Sequence, residues 1–208
     1  MLPMSRSSAP DRPYHHGQLR DALLTAAFEQ LQEISAHQIS LRGVARHAGV
    51  SHAAPYHYFP DRAQLLAALA VTCNEQFLDA QRRAVDAQTQ PVARLLAMGE
   101  AYIQFATQHP NAFALIFDPA ICPPDHSNPD TAPLIRANHE LLDDLIRAAQ
   151  DDGQLPHDDP QIRAAALWGT VHGLAQLVQL GHLPAEVVPA ALRTVSYTHL
   201  TLPTSDLV

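Results

Sequence analysis

The chain has no lysine, so all 13 of its basic side chains other than histidine are arginine. With the abundance of alanine and proline, this points to a GC-rich coding genome, which concerns source and not function. Cysteine is nearly as scarce. Cys73 and Cys122 stand at no motif spacing, which makes reduced thiols in a cytosolic protein the expectation. No apolar run approaches the roughly 18 residues of a membrane span, and the opening MLPMSRSSAPDRP lacks the apolar stretch of a secretory signal. There is no Gly-rich phosphate loop, no GxSxG and no HExxH. The acidic pairs Asp143-Asp144 and Asp158-Asp159 fall at helix surfaces or caps, where solvation accounts for them. An enzyme has little to stand on. No cofactor and no metal are expected, since His15-His16-Gly17 has no cysteine or acidic pair nearby at ligand spacing.

What charge there is has been distributed unevenly. The net charge of -8 argues at first sight against nucleic acid. Residues 1–62, however, carry six Arg against five acids, while the remainder carries seven Arg against sixteen. Six of the 13 histidines also fall in the first 62 residues. Only this N-terminal segment can face phosphate, and the rest of the chain would be repelled by it.

The hydrophobic pattern is helical throughout. Leu23, Leu24, Ala27, Phe28 and Leu31 make one stripe over 21–33, and Leu41, Val44, Ala45 and Ala48 make a shorter one. Ser40 is a good N-cap for the second helix and Gly49 a good residue to end it. Ser51 is expected to cap a third helix over 52–59. Pro60-Asp61 then leads into a long connecting helix over 63–84. Helix, three-residue turn with glycine, helix is the helix-turn-helix arrangement. Further helices are expected from Pro91 to His109-Pro110, over 133–150, over 160–180 and from Pro184 to about Val195, with a proline-rich loop over 118–133. The 160–180 helix is apolar nearly all round, as in a helix covered by its own subunit and by a partner. The fold class is therefore all-α, with a disordered arm over 1–13, a helix-turn-helix domain over 14–62 and a second helical domain over 85–195. The tail over 196–208 has β-branched residues, a proline and no caps, and is read as disordered or non-native.

Aromatics make up only 6% of the chain, yet GVSHAAPYHYFPDR (49–62) crowds three of them around a proline. A helix that only packs needs apolar residues three and four apart, and here only Tyr56 and Phe59 supply that spacing. Tyr56, His57 and Tyr58 follow at about 100° per residue, so they cannot all point into a core.

The stretches YHHGQLRDALLTAA and ISLRGVARHAGVSHAAPYHYFPDRAQLL resemble the TetR/AcrR family of bacterial transcriptional regulators. The second half, with YIQFATQHPNAFALIF, GQLPHDDP and Trp168, His172 and Gly173, is similar to the WHG-type ligand-binding domain of that family. The resemblance implies a homodimeric repressor with no membrane association. Double-stranded DNA with a palindromic operator would be one partner, and a small apolar or amphipathic effector the other. In such a head the second helix enters the major groove. Ser40 and Ser51 then lie with the DNA-binding residues, Ser51 near phosphate. Ala53 and Ala54 let the backbone approach the bases, and His52 is placed for a base edge. By the same resemblance Tyr56, His57 and Tyr58 touch phosphates or thymine, Phe59 plugs the small core, Arg62 clamps a phosphate and Arg42 takes a guanine. Pro55 is the awkward residue, since it removes a donor and restricts Ala54.

In the second domain Met98, Tyr102 and Phe105 form a stripe that is core by default, and only part of it need face a cavity. Trp168 and His172 share a helix face, either as a buried pair or as part of an effector pocket. Gly169 and Gly173 would admit another helix, from the same chain or from a partner. A second functional reading is a helical ligand- or protein-binding module that no longer reads DNA, motivated by the acidic body and the weakly basic head.

Overall fold

The computed structural model describes residues 16–123 and 128–201, so the arm over 1–13 and the end of the tail lie outside the described residues. Among the described residues there are eight α-helices, three short 3-10 segments and no strand. The helices are α1 (His16–Gln30), α2 (Leu41–His47), α3 (Arg62–Asp86), α4 (Pro91–Gln108), α5 (Pro110–Ile116), α6 (Ala132–Asp151), α7 (Pro160–Gln179) and α8 (Val188–Thr201). The last carries the chain past Val195, where the sequence pattern stops. Pro184 does not open it; that proline stands before a 3-10 turn, Ala185–Val187, that precedes the helix.

Capping accounts for most of the boundaries. Ser40 accepts from the Gly43 N–H at 3.1 Å, and Asp61 from that of Gln64 at 2.8 Å, so α2 and α3 each begin on a side-chain acceptor. At Gly49 φ is +69°, while the Val50 N–H reaches back to the Ala45 carbonyl and that of Gly49 to Arg46. This double bond pattern is the Schellman stop, which needs the left-handed region that glycine enters freely. Gly153 ends α6 in the same way.

The expected helix over 52–59 is not α-helical. The chain forms a turn and then a 3-10 segment, Ala54–His57, with i→i+3 bonds from Tyr56 to Ala53 and from Tyr58 to Pro55. Ser51 caps nothing with its side chain; Ala53 holds the N-cap position, without a side-chain bond. Pro55 supplies the reason. It lacks an N–H and disfavours the α region for the residue before it, so the tighter repeat with fewer bonds wins.

One continuous apolar cluster runs from Leu23 and Leu31 of α1, through Val44 and Phe59, along Leu65, Leu69 and Phe77 of α3, to Phe105 and Phe113. A second gathers Val85, Leu95, Met98, Ile146 and Leu155 at the far end of α3. Gly99 of α4 lets α7 and α8 close in, since a Cβ there would lie 3.2 Å from a Val171 methyl. The α6–α7 connection is held by charge. Arg163, only 9% exposed, donates its Nε to Asp158 Oδ1 at 2.8 Å and its Nη2 to Oδ2. Gln150 binds the Pro156 carbonyl and the same carboxylate. Asp158 is thus a structural counterion and not merely solvated, and the Arg163 hydrogen bond holds its carboxyl below the usual carboxylate value.

Asp158→Ala takes its counterion from a buried guanidinium. Because the carboxylate is half exposed, the expected cost is discounted to about 1–3 kcal/mol at pH 7. A depressed carboxylate pKa gives stability that is present above the ordinary value and lost on acidification. The gap between parent and variant in thermal unfolding is therefore expected to shrink as pH falls below 3.8.

Candidate DNA-reading head and ligand cavity

In the head, α2 and the 3-10 segment meet across the turn that Gly49 permits. Ser40, Arg42, Ser51, His52, Ala53, Tyr56 and His57 are all exposed, and they follow one another around this corner. Tyr56 is 50% exposed, while Phe59 is 2% exposed and closes the head's core. Tyr58 and Ala54 are half-buried, and Tyr58 packs against the core, so the three consecutive side chains do not act alike. Arg20 of α1 lies 5.8 Å over the Phe59 ring. This places a cation on the ring face, where the quadrupole attracts it.

Arg62 holds the corner together. Its Nε donates to the Ile39 carbonyl and its Nη2 to that of Ala36, both at 2.8 Å. Ala36 opens the short 3-10 link (Ala36–Gln38) between α1 and α2, which the sequence pattern left unassigned, and Ile39 caps its end. The first residue of α3 thereby fixes the entry to α2.

The second domain encloses a cavity of about 330 Å³ between α3, α4, α6 and α7. Met98, Tyr102 and Trp168 line it; Met98 and Tyr102 are also buried in the core, while Trp168 is 44% exposed. Phe105 and His172 do not; Phe105 is 4% exposed and packs edge-on against Phe77. Sequence reasoning missed Gln81, Asn138, His139 and Asp143, polar residues on helices that carry no motif. A second space of similar volume lies beyond Tyr102, lined also by Phe117, Cys122 and Ile135. Tyr102, Asn138, His139 and Trp168 border both. Cys73 and Cys122 are free and buried, and burial pushes the Cys122 thiol up to about 11.

Trp168, Tyr102 and His172 form a directed chain. The indole N–H can only donate, and it lies 3.3 Å from the Tyr102 oxygen. That hydroxyl is 2.8 Å from His172 Nδ1. Burial holds His172 below its ordinary pKa of 6.5, in the neutral form. The neutral ring accepts from the hydroxyl at Nδ1 in its Nε2-protonated tautomer and donates to it from Nδ1 in the other. Desolvation likewise raises the Tyr102 phenol well above its ordinary value. His172 thus acts behind Tyr102, orienting a group that the cavity sees.

Two outcomes are expected. Arg62→Ala removes two charge-assisted bonds, which lowers head stability by about 1–3 kcal/mol and speeds amide exchange around residue 39. If the guanidinium is committed to these carbonyls, the salt slope of DNA binding stays unchanged, whereas a slope smaller by about one marks a phosphate contact. For His172, a depressed pKa means that the unfolded chain takes up protons first on acidification. Stability is then lost as pH falls below 6.5, and His172→Gln is expected to flatten that loss in thermal unfolding.

Residues 23–69 match the model of bacterial regulatory proteins of the tetR family, and residues 95–199 that of the tetracyclin repressor-like C-terminal domain. A structure of a protein with unknown function from Rhodococcus sp. RHA1 is 33% identical. It covers 92% of this chain and 100% of that one, with a TM-score of 0.79. PfmR, a TetR family transcriptional regulator from Thermus thermophilus, shares the fold at 19% identity, with a TM-score of 0.66 over 86% of this chain and 99% of its own. The nucleoid occlusion factor SlmA of Marinobacter nauticus is 26% identical over 136 residues, 65% of this chain and 68% of that protein. With one model on the head and another on the helical body, the chain belongs to the TetR family of DNA-binding transcriptional regulators.

Proposed function

We propose that this regulator is a homodimeric repressor, active in the cytoplasm, that leaves a palindromic operator when a small apolar or amphipathic molecule enters the cavity. The cavity carries this reading: it is apolar, roomy and walled by α3, the helix that also carries the head's core. Two further links join cavity and head. Asn111 at the start of α5 donates to the Leu31 carbonyl at 2.9 Å, and His109 pairs with Gln32 at 2.9 Å. Phe113 of the same helix stacks edge-on against Tyr102. A ligand that displaces Tyr102 thus pushes on the helix that grips the end of α1. It acts only through its different affinity for the bound and released states of the head.

The dimer is supported by α7. Ile162 is 71% and Leu180 67% exposed, although the helix is apolar nearly all round. Gly169 and Gly173 face open space, with no atom within 4 Å of a Cβ at either. The intrachain seam is provided instead by Gly99, which leaves the α7 glycines to a second copy.

For the head, Arg42 and His52 form the reading set, Tyr56 adds a contact common to all sequences, and Ser40, Ser51, Ala53, Ala54, His57 and Tyr58 frame them. Selection from a random duplex library near 50 mM salt is expected to enrich a palindrome with the parent and none with an Arg42→Ala, Tyr56→Ala double variant. Arg42→Ala alone is expected to relax preference at one base, costing ~1–3 kcal/mol there. Tyr56→Ala should weaken all duplexes alike. An unchanged site preference in Arg42→Ala would remove that residue from the base-reading set.

A further inference from the structure

We propose that the cavity takes a lipophilic amine in its protonated form; the inference rests on reading that cavity as the effector site. Asp143 is the formally charged residue of the lining, which contains no arginine, and the chain has no lysine to lend. The ion pairs among the described residues do not engage Asp143. A carboxylate or phosphate entering this space would meet a like charge with no arginine or lysine to offset it, and His139 is the other titratable group of the lining; an ammonium group would meet a half-buried carboxylate.

Gln81 gives independent support. It is 0% exposed, lines the cavity, and its Oε1 has no hydrogen-bond partner. Its Nε2 is committed to Asn138 Oδ1 at 2.9 Å. A buried acceptor without a donor is unfavourable, and a ligand N–H removes that cost. The aromatic lining has the same preference. The Trp168 N–H is spent on Tyr102, whose hydroxyl is paired with His172 Nδ1 at 2.8 Å. Both still present ring faces, which attract cations. Gln81 Oε1 is thus an open acceptor, and the Trp168 donor is taken.

Trp168 is the single tryptophan of the chain and lines the cavity, so its fluorescence reports entry directly. The full chain is titrated with three probes of matched shape: phenylbutylamine, phenylbutanol and phenylbutyrate. The amine is expected to bind at least about tenfold more tightly than the alcohol, and the carboxylate most weakly. Asp143→Asn is expected to keep its affinity for the alcohol and lose the preference for the amine, with circular dichroism melts reporting that it is folded. A carboxylate that binds as well as the amine overturns the proposal. So does a preference that survives Asp143→Asn, or an absence of any Trp168 response to the amine. Retention of the selected operator duplex is followed in the same titrations. An amine that binds as expected but leaves the duplex bound supports the ligand class and overturns the effector reading. A carboxylate that binds and releases the duplex does the reverse.

Discussion

Everything else in this molecule depends on one helix being buried in two places at once. The first half of α3 is in the head's core through Leu65, Leu66 and Leu69, and its second half walls the cavity through Gln81. A helix of this length cannot bend sharply without a proline, a glycine or an inserted group, and α3 contains neither proline nor glycine. The two ends therefore share one orientation. Asp61 and Arg62 fix the start of the helix, one by capping it and the other by clasping the link between α1 and α2.

The polar groups inside the body are few, and each has a distinct physical status. Asn74 donates to the Ala70 carbonyl of its own helix, and Arg163 is neutralised by Asp158. Tyr102 is paired twice, accepting from Trp168 and sharing a hydrogen bond with His172 Nδ1. Gln81 alone among these is half satisfied, at the point where the protein has left a cavity unfilled. Buried polar groups are ordinarily paired, so an exception beside a cavity is better explained by what the site receives than by the fold.

Local chemistry made the head legible in the sequence. Ser40, Gly49 and Asp61 act through neighbours within a few residues, so their roles could be read without tertiary context. The helix over 52–59 could not be read correctly, because the aromatic spacing argued for α while a single proline decided for 3-10. The structural role of Arg62 was hidden in a different way. Its partners lie 23 and 26 residues away, and no periodicity reveals a carbonyl waiting there. In the body, Met98, Tyr102 and Trp168 stood out as large residues on helix faces. Gln81, Asn138 and Asp143 did not, because a polar residue on an amphipathic helix looks solvated until a neighbouring helix is placed over it. The role of Gly99 was hidden for the same reason, as its close approach to Val171 exists only after α7 docks.

The straightness of α3 turns angle into distance. Its 25 residues make a rod of about 37 Å, with the cavity near one end and the head at the other. A tilt of about 4° at the cavity end carries the head end sideways by about 2.5 Å. In the dimer proposed above, two heads swinging in opposite senses would change the gap between them by about 5 Å, more than the rise of one base pair, against half-sites one helical turn apart. On that proposal, a displacement no larger than a rotamer change at Tyr102 would become a mismatch of register on the duplex, by magnification alone.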